Sequence, residues 1–265
     1  MVLVGWDGAS REDVVELLKE GQLPFLKRLI ARGSFIPLEV VGETDTKAGW
    51  AVIFTGYKAD VTGVYHNSNF RPIPEGYSVF ERLKQFLGKD KIVTAAVISK
   101  SANMETSPGG PYFITAQRTD SFMNGLGPNY RVLKKVIEFL KANRNKRFFL
   151  FVHFGNIDIA GHIFWQPSVK YRQAISAANI ATGKIYLQLK KLGLGEKTLF
   201  YITADHGFDK GKKSHLLAPA VFLVSNDQKL KGKTGGTNLD ITPTILERFG
   251  INYKKIQPPL AGEPL

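Results

Sequence analysis

The sequence predicts an α/β fold, a three-layer sandwich with a mostly parallel central sheet. Apolar, β-branched runs alternate with helical patterns along the chain, as they do in parallel strands joined by crossover helices. Most of these runs are continuously apolar, which is typical of strands that are buried on both faces. The length of 265 residues suits one large domain and leaves too little chain for a sizeable second one.

Six apolar runs are the predicted strands, and six stretches with helical periodicity are the predicted helices. The strands are expected at residues 2–6, 36–41, 92–98, 148–154, 198–203 and 220–224. The helices are expected at residues 11–19, 24–32, 79–87, 131–143, 168–192 and 241–249. Pro24 suits the first turn of the second helix, where an N–H group has no helical partner.

One stretch, residues 100–129, breaks this alternation. It is rich in Gly, Pro, Ser, Thr and Asn, with aromatic residues and methionines between them. A long irregular segment in a compact domain is more often functional than idle. We therefore expect a single domain over residues 1–265, with a loop or small cap at 100–129 beside the active site. The alternative is a surface excursion whose aromatic residues complete the core.

The composition narrows the class of protein. A hydrophobic share of 43% and a charged share of 22% are typical of a globular domain. Cysteine is absent, which excludes disulfides and thiolate chemistry. No apolar run approaches the roughly 18–20 residues that a membrane-spanning helix needs. The chain starts directly with a predicted core strand and shows no secretory leader pattern, so we expect a cytoplasmic protein unless a signal was removed.

Aspartates follow three of the predicted strands. Asp7 follows the first strand, Asp158 follows the strand at 148–154, and Asp205 follows the strand at 198–203. Open parallel sheets place their ligands outside the carboxyl ends of the strands, so these side chains are expected to converge at one edge. A single aspartate after a strand is usually a helix N-cap, but three that are accompanied by histidines indicate a site.

Histidines near these aspartates complete a possible metal-binding set. His162 lies four residues after Asp158, so both would face the same way on a helical turn. His206 directly follows Asp205, and His215 lies nine residues further on. Each histidine alone could be an ordinary surface or core imidazole. Together with Thr46, these oxygen and nitrogen ligands could fill two adjacent metal sites, for which zinc fits best and manganese or another divalent ion stays open.

Thr46 is the candidate nucleophile. An apolar helical pattern follows it, so Thr46 is expected at a helix N-terminus, where backbone N–H groups and the dipole favour an anionic phosphoryl group. An alcohol is a poor nucleophile at neutral pH, and a divalent ion corrects this by stabilising the alkoxide. The alternative is that Thr46 is a simple helix N-cap, and both interpretations can hold because the position is the same.

The net charge of +13 favours anionic partners. A basic nucleic-acid-binding protein with a structural metal site is therefore one alternative. The lysines are scattered rather than gathered into one stripe, which favours a small substrate and no stable nucleic-acid complex. Lys210, Lys212 and Lys213 lie between His206 and His215, at the expected mouth of the site.

The order and spacing of these residues resemble the alkaline phosphatase superfamily, and most closely its type I phosphodiesterase / nucleotide pyrophosphatase branch. Thr46 precedes the pair Thr55-Gly56 by nine residues, as the nucleophile does in that branch. Residues 61–67 resemble the stretch that ends in the family's phosphoryl-binding asparagine. Residues 240–246 and 260–265 resemble the superfamily's closing element. The resemblance covers nearly the whole chain and implies an alkaline phosphatase-like sandwich.

The resemblance also implies roles for individual residues. One divalent ion is expected on Asp158, His162 and His215, and the other on Asp7, Thr46, Asp205 and His206. Asn67 is expected to donate to a phosphoryl oxygen, and Lys47 is the second expected substrate-binding residue.

The implied activity is metal-dependent hydrolysis of phosphodiester or pyrophosphate bonds in a small phosphate ester or nucleotide. A phosphomonoesterase with the same site is the close alternative, and Lys47 keeps it open although no arginine follows Thr46. Sulfatases of this fold require a cysteine or serine as the precursor of their nucleophile, with a proline two residues later and an arginine four residues later. Here those positions are Thr46, Ala48 and Trp50, which disfavours sulfatase activity.

Overall fold

A computed structural model describes the backbone of residues 1–265 and every side chain except that of Asn103. The strands of the main sheet are β1 (Val2–Trp6), β2 (Ser34–Glu39), β5 (Val93–Ile98), β6 (Ser121–Met123), β7 (Phe148–Phe154), β8 (Phe200–Thr203), β9 (Ala220–Ser225) and β10 (Gly236–Thr237). A separate hairpin consists of β3 (Val64–His66) and β4 (Asn69–Phe70). The helices are α1 (Arg11–Lys19), α2 (Pro24–Arg32), α3 (Thr46–Thr55), α4 (Ala59–Thr62), α5 (Val79–Leu87), α6 (Phe113–Arg118), α7 (Asn129–Ala142), α8 (Asn156–Phe164), α9 (Val169–Lys191) and α10 (Ile241–Arg248).

The main sheet has eight strands in the order β10-β2-β9-β8-β1-β7-β5-β6. The strands β8, β1, β7, β5 and β6 are parallel to one another, and β9 runs antiparallel to both β8 and β2. The sheet is therefore mostly parallel, which confirms the predicted fold class. Among the described residues, no helix is long and apolar enough to cross a bilayer.

Helices cover both faces of the sheet. The side chains of β7 alternate between the two layers: Phe151 packs on Trp50 of α3, whereas Phe148 packs on Phe139 of α7. Helices α1, α2, α7 and α9 form one layer, and α3, α5 and α10 form the other. All seven residues of β7 are buried, as its apolar sequence predicts.

The structure corrects some predicted boundaries. The predicted bounds are correct for the strands β1 and β7 and for the helices α1, α2 and α5. Strand β2 starts and ends two residues before the prediction, because its pairing with β9 continues back to residue 34. The segment 100–129 is less irregular than expected, since it contains α6 and the edge strand β6, which pairs with β5.

Candidate active site

The sheet register aligns the ends of three parallel strands. Gly5 of the central strand β1 pairs with His153 of β7 on one side and with Thr203 of β8 on the other. Asp7 lies two residues beyond Gly5, and Asp205 lies two residues beyond Thr203. The aspartates that follow these strands therefore come together at one edge, as the strand-end pattern predicts.

The first group of possible metal ligands consists of Asp158, His162 and His215, whose ligand atoms all lie within 4.8 Å of one another. One turn of α8 carries the first two, and Asp158 Oδ1 lies 3.2 Å from His162 Nε2. The carbonyl oxygen of Lys213 accepts a hydrogen bond of 2.8 Å from His162 Nδ1, which leaves Nε2 facing the site. The ring centres of His162 and His215 are 5.0 Å apart.

The second group consists of Asp7, Asp158 and His206, whose ligand atoms also lie within 4.8 Å of one another. His206 Nε2 is 3.5 Å from Asp7 Oδ1 and 3.5 Å from Asp205 Oδ2. His206 Nδ1 donates to the carbonyl of Gly207, so the Nε2 atom is directed into the site. Asp158 belongs to both groups and lies between them. Five of the seven residues expected to hold two ions thus lie in two adjoining groups. The other two, Asp205 and Thr46, lie next to His206 of the second group.

Buried polar atoms test whether a cation fits these groups. Asp205 Oδ2 and His215 Nδ1 are buried and make no hydrogen bond to any described residue. Such atoms cost free energy unless something else satisfies them, and carboxylate and imidazole atoms that converge are the donor set of a divalent ion. The residues present therefore fit a metal centre, while its identity is open.

The carboxylates strongly perturb one another. Burial, with the neighbouring charges of Asp7 and Asp158, raises the pKa of Asp205 well above its usual range. Burial also opposes ionisation of Asp7, but the charges of Lys100 and His153 hold its pKa well below the usual range. This crowding of acidic groups in a buried place is what a divalent cation would relieve.

The nearby histidines respond to the same surroundings. Burial, together with like-charge repulsion from His206, lowers the pKa of His215 to about 4. Burial opposes protonation of His206 as well, yet the three buried aspartates raise its pKa above the usual value. His215 is therefore neutral near pH 7, which is the form that binds a metal.

Thr46 is the first residue of α3 and is buried, with its Oγ1 atom 3.1 Å from His206 Nε2. The N-cap position belongs to Asp45, so the interpretation of Thr46 as the N-cap is wrong. Its hydroxyl is instead directed at the second group of possible ligands. The structure thus brings an alcohol at a helix N-terminus next to the candidate metal centre.

Asn67 lies beside this helix N-terminus. Its Oδ1 atom accepts a hydrogen bond of 3.0 Å from the backbone N–H of Lys47, and Asp45 Oδ2 accepts from its own N–H. With Oδ1 occupied, the Nδ2 amide is the group left to donate to a ligand. The ammonium of Lys47 contacts Glu105 at 2.8 Å and lies over the Phe70 ring, so the charge expected to bind substrate already has a carboxylate partner.

The sequence analysis missed two residues of the site. His153 in β7 is fully buried with Nε2 3.1 Å from Asp7 Oδ2, and Lys100 contacts both Asp7 and Asp158. His153 interrupts the otherwise apolar run at 148–154, and Lys100 follows a predicted strand end. Both signals are visible in the sequence, but neither residue belongs to the pattern of strand-end aspartates with nearby histidines that predicts the site.

Gly49 sets the distance between α3 and the site. A Cβ atom at this position would lie 2.8 Å from the carbonyl oxygen of Asp205 and 3.0 Å from its Cβ. We expect Gly49→Ala to lower the free energy of unfolding by about 1–3 kcal/mol, because the clash outweighs the better helix propensity of alanine. Metal affinity should also fall, since Asp205 must move.

Chemical denaturation and zinc titration measure these two effects of Gly49→Ala. Gly183→Ala is the matched control, because Gly183 lies in α9 and the atoms nearest to an added Cβ would belong to the Phe25 side chain, at 3.2 Å. A Gly49→Ala protein with wild-type stability and zinc affinity would show that this close approach does not position Asp205.

Comparison with known proteins supports the family resemblance that the sequence motifs indicate. The family described as type I phosphodiesterase / nucleotide pyrophosphatase matches residues 1–257. A segment of 104 residues is 34% identical to the steryl-sulfatase of Rattus norvegicus, covering 36% of this chain and 17% of that protein. A segment of 131 residues is 28% identical to the 2,3-bisphosphoglycerate-independent phosphoglycerate mutase of Pseudomonas putida (strain GB-1), covering 46% of this chain and 24% of that protein. These matches thus span a quarter or less of the two relatives.

A solved structure shows the same fold. A protein in the alkaline phosphatase superfamily from Vibrio parahaemolyticus superposes with a TM-score of 0.69 at 15% identity. The superposition covers 99% of this chain and 68% of that one. The resemblance found in the sequence is confirmed at the level of family and fold.

Proposed function

Because the chain belongs to the type I phosphodiesterase / nucleotide pyrophosphatase family of the alkaline phosphatase superfamily, we propose that it hydrolyses phosphodiester or pyrophosphate bonds. The observation that carries this proposal is the buried Thr46 hydroxyl, 3.1 Å from His206 Nε2 and at the N-terminus of α3. The relatives include a sulfatase, but a threonine cannot supply the oxidised cysteine or serine that sulfatases of this fold use. Phosphoryl transfer is therefore the proposed chemistry.

In the proposed reaction, Thr46 Oγ1 attacks phosphorus in line and the bond to the leaving-group oxygen breaks. Two divalent ions, with zinc as the proposed metal, would lower the pKa of the hydroxyl and neutralise charge on the phosphoryl oxygens. Asp7, Asp205 and His206 would bind one ion, and Asp158 lies between the two ion positions. Water then hydrolyses the phosphothreonine and restores the hydroxyl.

Asn67 and the start of α3 are the proposed binding groups for the equatorial phosphoryl oxygens. Since Asn67 Oδ1 is held by the N–H of Lys47, its Nδ2 donors can point toward the oxygens without a change of position. The helix dipole adds positive potential at the same place. These groups are set before the substrate arrives, so little reorganisation is needed in the transition state.

We expect Asn67→Ala to slow diester cleavage by roughly 2–4 kcal/mol of transition-state stabilisation. Asn67→Asp is the matched variant, because it keeps an acceptor for the Lys47 N–H but has no amide donor. If donation to the phosphoryl group matters, Asn67→Asp should lose at least as much kcat/KM as Asn67→Ala, because its carboxylate also repels the phosphoryl oxygens. A nearly active Asn67→Asp protein would instead assign Asn67 to positioning α3.

A phosphomonoesterase is the second candidate, and Lys100 is the observation that favours it. A monoester carries one more negative charge than a diester, and the Lys100 ammonium adds a cation next to Asp7 and Asp158. Because two buried carboxylates already pair with the Lys100 charge, it is not free to neutralise the additional charge of a monoester, which favours the diester. Lys47 is likewise paired, with Glu105.

A rate comparison between an aryl phosphodiester and an aryl phosphomonoester distinguishes these candidates. We expect kcat/KM to favour the diester by roughly tenfold or more, and a chelator to abolish both activities. Equal or faster monoester turnover would move the assignment to phosphatase. Salt-dependent binding of duplex DNA without any turnover would instead support the nucleic-acid-binding alternative.

A further inference from the structure

Exposed apolar side chains adjoin the first group of candidate metal ligands along the chain. We call them the mouth patch, and its members are Ile159, Ile163, Phe164, Trp165, Leu216 and Leu217. Leu216 and Leu217 are 71% and 81% exposed, and Trp165 is 51% exposed. A cluster of large exposed apolar residues on a folded domain marks an interaction site more often than it marks idle surface.

The mouth patch adjoins the site through the backbone. Ile159 and Ile163 directly follow the ligands Asp158 and His162 along α8, and Leu216 directly follows His215. The end of α8 is tied to the loop at 210–217, because the carbonyl of Lys213 accepts from His162 Nδ1 at 2.8 Å. Whatever covers this patch therefore lies at the entrance to the metal centre.

Three lysines accompany these apolar residues on the same loop. Lys210, Lys212 and Lys213 are exposed. The loop's own acidic residue, Asp209, is buried and accepts hydrogen bonds from the Ser214 hydroxyl and the Leu217 N–H. The exposed part of the loop is thus cationic next to its two leucines, although Glu12 lies across a small pocket from Lys210.

Trp165 is held in an unusual conformation at this place. Its φ angle is 62°, and among the described residues it is the one non-glycine residue with positive φ. Such backbone strain persists where the surrounding structure requires it, and it is concentrated at functional sites. Trp165 is the C-cap residue of α8, and its side chain is half-exposed. The next residue, Gln166, donates its N–H to the carbonyl of Lys212, which places Trp165 beside the lysine loop.

From these observations we propose that the mouth patch and its lysines dock on an anionic lipid bilayer. Tryptophan and leucine bury apolar surface at the headgroup boundary, while lysines remain with the phosphate groups. Charge complementarity favours a bilayer with anionic headgroups over an uncharged one. Together with the proposed function, on which this step rests, docking implies that the substrate is a phosphate ester presented to the metal centre at a lipid surface.

Tryptophan fluorescence offers a direct test of docking. Trp6 and Trp50 are fully buried, so a change in emission on adding vesicles reports Trp165. We expect a blue shift with vesicles of phosphatidylcholine and phosphatidylglycerol, and little change with phosphatidylcholine alone. Co-sedimentation with the same vesicles gives the partition coefficient. No shift and no co-sedimentation with anionic vesicles would overturn the proposal.

Charge variants test the electrostatic part. Replacing Lys210, Lys212 and Lys213 with glutamine is expected to weaken partitioning roughly 100-fold, about fivefold for each lysine. The matched control replaces Lys229, Lys231 and Lys233, which are also exposed but follow β9 at the opposite edge of the sheet. An equal loss in both triple variants would contradict docking through the mouth patch.

Apolar variants test the hydrophobic contribution to docking, and they distinguish a bilayer from a second copy of this chain as the partner. Leu216→Ser with Leu217→Ser should reduce partitioning at least tenfold, whereas Ile180→Ser with Leu187→Ser on α9 should not. Self-association that the Leu216/Leu217 variant abolishes, without vesicle binding, would assign the patch to a second copy and overturn the proposal.

Ester hydrolysis is measured separately on a soluble aryl diester without vesicles. The Leu216/Leu217 variant should keep that activity, because the two leucines are not metal ligands. Vesicle binding by a protein that hydrolyses no ester would support docking and overturn only the proposed function.

Discussion

Replacing Thr46 with alanine is expected to reduce ester hydrolysis by a factor on the order of 10⁴ or more, the scale on which covalent nucleophiles contribute. The hydroxyl lies at the N-terminus of α3, 3.1 Å from His206 Nε2, and no other alcohol was predicted for this role. Zinc binding should persist, because six further side chains remain to hold two ions. Steady-state kinetics and zinc titration measure the two properties on the same protein.

Two controls make this result specific. Thr46→Ser keeps a hydroxyl at the same position and should retain much of the activity. Thr55→Ala makes the same substitution at the other end of α3. There the hydroxyl donates to the carbonyl of Ala51 and accepts from the N–H of Tyr57, so its loss should leave turnover nearly unchanged. Near wild-type hydrolysis by Thr46→Ala would mean that water attacks directly and that the proposed mechanism is wrong.

Replacing Lys100 with methionine is expected to lower the free energy of unfolding of the metal-free protein by about 3 kcal/mol. The substitution keeps the length of the side chain but removes the charge that contacts Asp7 and Asp158, both of which are buried. Zinc should restore most of the lost stability, since the ions supply positive charge to the same carboxylates. Urea denaturation with chelator and with zinc measures the difference.

Lys84→Met is the matched control for that experiment. Lys84 pairs with Asp120, which is more exposed, and surface pairs contribute only about 0–1 kcal/mol. An equal effect of both lysine variants, or a Lys100→Met loss that zinc does not reduce, would show that Lys100 does not offset the charge of Asp7 and Asp158.

The sequence predicted the fold and the gathering of the site because both depend on local patterns. Continuous apolar runs indicated buried parallel strands, and the parallel arrangement itself brings strand ends to one edge. Asp7 and Asp205 therefore converge without any information on tertiary contacts. Similarly, the four-residue spacing of Asp158 and His162 predicted that both side chains lie on the same face of α8.

The parts that were missed depend on contacts between distant segments. His153 was overlooked because a histidine within an apolar strand resembles an ordinary core residue until its neighbour across the sheet is known. Strand β6 has only three residues, and its pairing with β5 rather than its sequence defines it. Lys47 was expected to bind substrate, but only the folded chain shows Glu105 next to it.

We propose above all that this chain binds two divalent ions with Thr46 beside them. Anomalous diffraction at the zinc edge from crystals grown with zinc tests it most directly. We predict two peaks roughly 3.5–4 Å apart. One should lie among Asp158, His162 and His215, and the other among Asp7, Thr46, Asp205 and His206. No anomalous peak at these residues, or peaks only elsewhere on the surface, would contradict the account.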